Sequence, residues 1–136
     1  REAVARFGSE ADVFADTAPE QFCIDALAKL KRAGQFGEYP LQAACKAFEA
    51  YPDKRPHTLS DCIHELVFWG SLYHLRSAWQ NSGDDIPQVS ARRDYLRHCL
   101  SVLRCKGRAE AKAVLRYLVD QDMRDDADPI LENLIG

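Results

Sequence analysis

The sequence predicts an all-α protein, built either as helical hairpins stacked into a short α-solenoid or as an irregular bundle of five to six helices. Three observations predict this. Apolar residues recur at i, i+3, i+4 and i+7 through most of the 136 residues. Several of those runs open on a Thr or Pro start signal and close near a Gly or Pro. Nothing alternates with period two, and β-branched residues are few. The length fits one domain spanning residues 1–136, which should bury roughly two-thirds of its unfolded surface and so form a core without a metal or disulfide.

Residues 1–16 are weakly patterned, with at most a short helix after Ser9. The first strong helix opens at Thr17, an N-cap followed by Pro19 in the first turn and Glu20 at the capping-box position. Its apolar positions are Cys23, Ala26, Leu27 and Leu30, and Gly34 marks its stop. Pro40 starts a second helix with Leu41, Ala44, Cys45 and Phe48 on one side, and Pro52 ends it. Thr58 caps a third, with Asp61 placed to reciprocate. That helix, Thr58 to Trp79, carries one apolar stripe through Cys62, Ile63, Leu66, Val67, Trp69 and Tyr73 and another through Phe68, Leu72, Leu75 and Trp79. Polar seams separate the stripes, Glu65 with Arg76 and His64 with Ser71, so the helix should be sandwiched between neighbours, with Leu66 and Leu72 both buried. After the turn-rich Asn81 to Pro87, a fourth helix is expected from about Ser90 to Lys106, a fifth near Ala109 to Gln121 burying Ala111, Val114, Leu115 and Leu118, and a short terminal one opened by Pro129. The hairpin units are then 17–52, 58–106 and 109–136.

One internal match stands out. Cys23-Ile24-Asp-Ala-Leu27-Ala-Lys-Leu30 aligns with Cys62-Ile63-His-Glu-Leu66-Val-Phe-Trp69, each on the first helix of a hairpin. Ile24 to Leu30, a short turn and a second helix beginning at Pro40-Leu41 resemble one unit of the octotricopeptide and heptatricopeptide helical repeats of organellar proteins. That resemblance implies a non-enzymatic scaffold that binds organellar RNA or belongs to a large assembly in mitochondria or another organelle. It transfers no catalytic residue.

Charge is segregated along the chain although the net value is only −3. Residues 91–116 hold eight basic side chains (Arg92, Arg93, Arg97, Arg104, Lys106, Arg108, Lys112, Arg116) against two acidic, and the last twenty hold one basic and six acidic. On a helix from Ser90, Arg93, Arg97 and Arg104 fall within about 40° of one another, and Arg108 joins them if the helix survives Gly107. Such a row of guanidiniums can follow a phosphate backbone, with an affinity that falls as salt rises. The alternatives are a solvated face, one paired with the acidic tail Asp120, Asp122, Asp125, Asp126 and Asp128, or a surface for an acidic protein.

Arg93-Asp94-Tyr95-Leu96-Arg97-His98 resembles the R-polar-x-x-x-H motif of HEPN ribonucleases, helical bundles that cleave RNA without metal from paired subunits. The resemblance implies His98 as acid/base and Arg93 as stabiliser of the phosphate charge. It stands as the alternative to the scaffold, beside a third reading as a small regulatory or immunity-type protein that pairs with one partner by charge complementarity.

Five cysteines (Cys23, Cys45, Cys62, Cys99, Cys105) with no CxxC spacing read as free thiols in a reducing intracellular compartment, four of them at apolar helical positions and Cys105 off the apolar face. No Cys or His pair has the spacing that sets two zinc ligands side by side. No phosphate loop or nucleophile elbow is present, and neither a metal nor a small-molecule cofactor is expected. No run approaches the apolar length of a membrane span. The Arg1 start, with no initiator Met or signal-peptide core, reads as a processed form or a piece of something larger.

Overall fold

A computed structural model of the protein describes residues 17–32, 38–78, 86–123 and 125–136. The expectations for residues 1–16, Gly34, Trp79 and residues 81–85 lie outside the described residues. Within them the chain forms six α-helices and no β-strand: α1 (Ala18–Ala26), α2 (Leu41–Glu49), α3 (Leu59–Ser77), α4 (Pro87–Val102), α5 (Arg108–Asp120) and α6 (Asp128–Ile135). Short 3₁₀ turns at Pro52–Lys54 and Asp125–Ala127 complete the order. Among the described residues no helix is long and apolar enough to cross a membrane.

Local signals set the helix starts. The Thr17 hydroxyl accepts from the Glu20 N–H while the Glu20 carboxylate accepts from the Thr17 N–H, and Thr58 with Asp61 repeats the device at α3. Pro40 and Pro87 stand at the starts of α2 and α4. The ends do not follow propensity alone. Ala26 to Leu30 is a run of good helix formers, yet α1 stops at Ala26 and tightens into i→i+3 turns, Ala28 to Asp25 and Leu30 to Leu27. The fourth helix stops at Val102, short of the expected Lys106. There Asn133 of α6 donates to the carbonyls of Leu100 (3.0 Å) and Leu103 (2.7 Å), supplying the partners that a helix end lacks. Gly107, with φ of 148°, then opens α5 in a conformation open to glycine alone.

The helices converge on α4, which packs against α1, α2, α3 and α6, while α5 docks mainly on α3. Of the two architectures the sequence allows, this is the irregular bundle, with a hub in place of neighbours stacked in chain order. The hub is α4 and not, as the apolar stripes of residues 58–79 suggest, α3. Leu66 and Leu72 are both buried as expected, but so are Leu59, Cys62 and Trp69, all within one arc, whereas Val67 is 51 % and Phe68 38 % exposed. Among the described residues, then, the fully buried positions of α3 lie in one arc. Leu115, expected in the core, is likewise 43 % exposed, and the inner face of α5 is Val114, Tyr117 and Leu118.

Gly70 lies in the middle of α3, and a Cβ placed on it would meet no atom within 4 Å. Glycine within a helix costs about 0.5–1 kcal/mol relative to alanine. Gly70→Ala is therefore expected to raise stability by about that amount, read as a higher urea midpoint at unchanged slope.

Candidate interaction surface

Of the eight basic residues between 91 and 116, the structure takes three out of the expected basic surface. Arg92 is 2 % exposed. Its Nε and Nη2 donate to the two oxygens of Glu65 at 2.6 and 2.8 Å, and Nη2 also donates to the Lys54 carbonyl. The guanidinium carbon lies 4.9 Å from the ring centre of Phe48, 5.2 Å from Tyr95 and 5.5 Å from Phe22, so ring faces meet a charge that water does not. Its Nη1 has no hydrogen-bond acceptor. Burial works against the charge, but the hydrogen bonds and the negative charge of Glu65 outweigh it and raise the Arg92 pKa. Trp69 Nε1 donates to the same carboxylate at 2.9 Å, and Tyr95 donates to Glu49 at 2.8 Å. This cluster fixes the rotation of α4, and with it the placement of every other basic side chain on that helix.

Arg93 is half-buried in a groove between α3 and α5 lined by Val67, Gly70, His74, Tyr117 and Gln121. Arg97 pairs with Asp94 at 3.3 Å. Both line, with His98, Ser101 and Asp126, a different and open cleft beside α6. Burial raises the Asp94 pKa there. Arg93 and His98, five residues apart on one helix, diverge by about 140° and line two neighbouring clefts that share Gln121, so one chain does not present the R-x-x-x-x-H pair in a single cleft. Arg104 lies beyond the end of α4 at Val102, so it leaves the row with Arg93 and Arg97 that a helix to Lys106 would have made. Arg108 begins α5.

What remains is five exposed cations. Arg104, Lys106, Arg108, Lys112 and Arg116 are all exposed, and among the described residues none makes an ion pair. Among the described residues no ion pair joins them to the acidic tail. Arg108, Lys112 and Arg116 share the outer side of α5 with Leu115 and Val119, the latter 77 % exposed, beside a shallow groove that Asp120 also lines. Glu110 turns away from that side. It accepts from the Ser60 N–H and hydroxyl at 3.1 and 2.7 Å and from the Lys106 N–H at 2.8 Å, which ties the start of α5 to the start of α3. The signal that the sequence reading missed is the mixture: Leu115 and Val119, assigned to the core or left aside, belong to the same outward stripe as the cations.

All five thiols are free. Cys23, Cys62 and Cys99 are buried, whereas Cys45, expected in the core, is partly exposed like Cys105. Burial pushes the Cys23 thiol up to about 12 and Cys45 to about 11, so neither is a nucleophile at neutral pH. A hydrogen bond with Cys99, together with burial, pushes Cys62 up further, while the same bond lowers Cys99. Among the described residues no three His, Cys, Asp or Glu side chains gather as a metal site would require.

Comparison with family models, with curated proteins and with solved structures matches this chain to none of them.

Proposed function

We propose that the protein is a non-enzymatic helical scaffold whose α5 face docks an acidic, partly apolar segment of a protein partner within a larger assembly. The observation that carries this reading is the set of five exposed cations that make no ion pair among the described residues, three of them interleaved with Leu115 and Val119 on one helix side. Cations around an apolar strip steer an acidic partner and give it a hydrophobic contact to settle on. A single-stranded nucleic acid would instead call for aromatic platforms on which bases stack. The one aromatic of α5, Tyr117, is 6 % exposed and faces inward. Arg93 and His98 line different clefts of the chain, which gives the ribonuclease reading less support than the scaffold. The resemblance to organellar helical repeats points the same way, towards a subunit of an assembly.

The test is fluorescence anisotropy with two labelled probes, an amphipathic peptide bearing Asp and Glu beside Leu and Ile, and a single-stranded RNA. Peptide binding is expected to weaken by about tenfold between low and moderate salt and to be lost in Lys112→Glu combined with Val119→Asp. Undiminished binding by that variant, or no binding of either probe at low salt, would overturn the reading. Preferential binding of RNA, reduced by Arg97→Glu with Arg104→Glu, would replace it with the polyanion reading.

A further inference from the structure

The α5 face has a complement on the same chain. The last helix, α6, exposes Asp128, Glu132 and Ile135 at i, i+4 and i+7, and Ile135 is 86 % exposed. On α5, Arg108, Lys112 and Leu115 are exposed at the same i, i+4 and i+7 spacing. Two cations followed by an apolar residue thus face outward on one helix, and two carboxylates followed by an apolar residue face outward on the other. No ion pair joins these four charged residues within the chain. The residues at i and i+4 stand about 6 Å apart along either helix and those at i and i+7 about 10.5 Å apart, so the two stripes match in register when laid side by side in parallel. Arg108 then meets Asp128, Lys112 meets Glu132, and Leu115 meets Ile135.

We infer that a second copy of this chain docks its α6 stripe on the α5 stripe of the first. This rests on the reading of the α5 face as a docking surface and names its occupant. Reversing one helix would still leave Glu132 near Lys112 but would set Asp128 against Leu115 and Ile135 against Arg108, so the charge order favours the parallel arrangement. Self-association by one helix pair per contact is small in area, and it should be weak and salt-sensitive, with a dissociation constant on the order of 100 μM.

Sedimentation equilibrium of the whole chain tests it. At low salt the average mass is expected to rise between about 10 μM and 1 mM protein, and at high salt to return to that of the monomer. Lys112→Glu and Glu132→Lys each replace an attraction by a repulsion at an exposed mid-helix position, and each should weaken association by about fivefold or more. An equimolar mixture of the two variants should associate more strongly than either alone, because the reversed α5 of one fits the reversed α6 of the other. A wild-type chain monomeric throughout, variants that associate as the wild type does, or a mixture no stronger than its components would each overturn the inference. A chain that binds the acidic peptide and stays monomeric sinks self-docking and leaves the docking face standing. One that does neither sinks both.

Discussion

Arg92→Ala is expected to remove about 3–5 kcal/mol of folding stability, the cost of breaking a buried ion pair by deleting one partner. That is a large part of the roughly 5–15 kcal/mol a domain of this kind possesses. Five groups lose a partner at once. The Glu65 carboxylate loses two donors at 2.6 and 2.8 Å, the Lys54 carbonyl loses its donor, and the rings of Phe22, Phe48 and Tyr95 lose the cation between them. Glu65 is 28 % exposed and still accepts from Trp69, so water and the indole offset part of the loss and keep the figure within that range. Arg92→Met with Glu65→Leu removes both charges and fills the space. It should recover a large share of the lost stability, short of the whole because the Trp69 N–H is then unmet. Urea unfolding at neutral pH reads both quantities. A cost below about 1 kcal/mol for Arg92→Ala would mean that the pair is a rim contact and not the element that orients α4.

The starts of the helices were legible in the sequence because each depends on residues within one turn. Thr17 with Glu20, Thr58 with Asp61, and the prolines at 40 and 87 need nothing from the rest of the fold. The rotation of α3 and α4 was less legible, and the charged residues explain why. Glu65 and Arg76 form a narrow seam between two apolar stripes, which reads as a boundary open to solvent. In the folded chain that seam runs down the buried side, Glu65 to Arg92 and Arg76 to Glu20. Arg92 itself falls on the same helix side as Val89, Tyr95, Leu96 and Cys99, all buried. A cation inside an apolar arc is the local signal of a buried pair. Its partner, 27 positions away in the sequence, cannot be read from spacing. Counting Arg92 with its basic neighbours hid that signal, and extending α4 to Lys106 put Arg104 in a row that the capping by Asn133 of α6 forbids. The docking face was half legible. Its cations stand out as a block, but Leu115 could be assigned inward or outward by period alone, and only the packing of Val114, Tyr117 and Leu118 decides it.

Glu20→Gln is the second large loss, about 3 kcal/mol at neutral pH, and its pH dependence separates a charge effect from a packing one. Glu20 is 2 % exposed, and its two oxygens meet the guanidinium of Arg76, with Nη2 at 2.9 Å from Oε1, while Oε1 also accepts from the Thr17 N–H at 2.8 Å. Burial works to raise its pKa. The hydrogen bond from Arg76 leads the opposing effects, and the net result is a carboxyl held below its ordinary 4.5. A carboxyl whose folded pKa is depressed contributes stability that is fully present above the unfolded value and is lost as pH falls through the folded one. The difference between wild type and Glu20→Gln should therefore be constant from neutral pH down to about 5 and then shrink below 4.5, as the wild-type carboxyl takes up a proton and comes to resemble the amide. Urea midpoints of both proteins measured at about pH 7, 5 and 3 give the comparison. A difference that persists unchanged at the lowest pH would assign the loss to shape and hydrogen bonding, and the Glu20–Arg76 contact would then hold α1 against α3 as a polar clasp whose charge adds nothing.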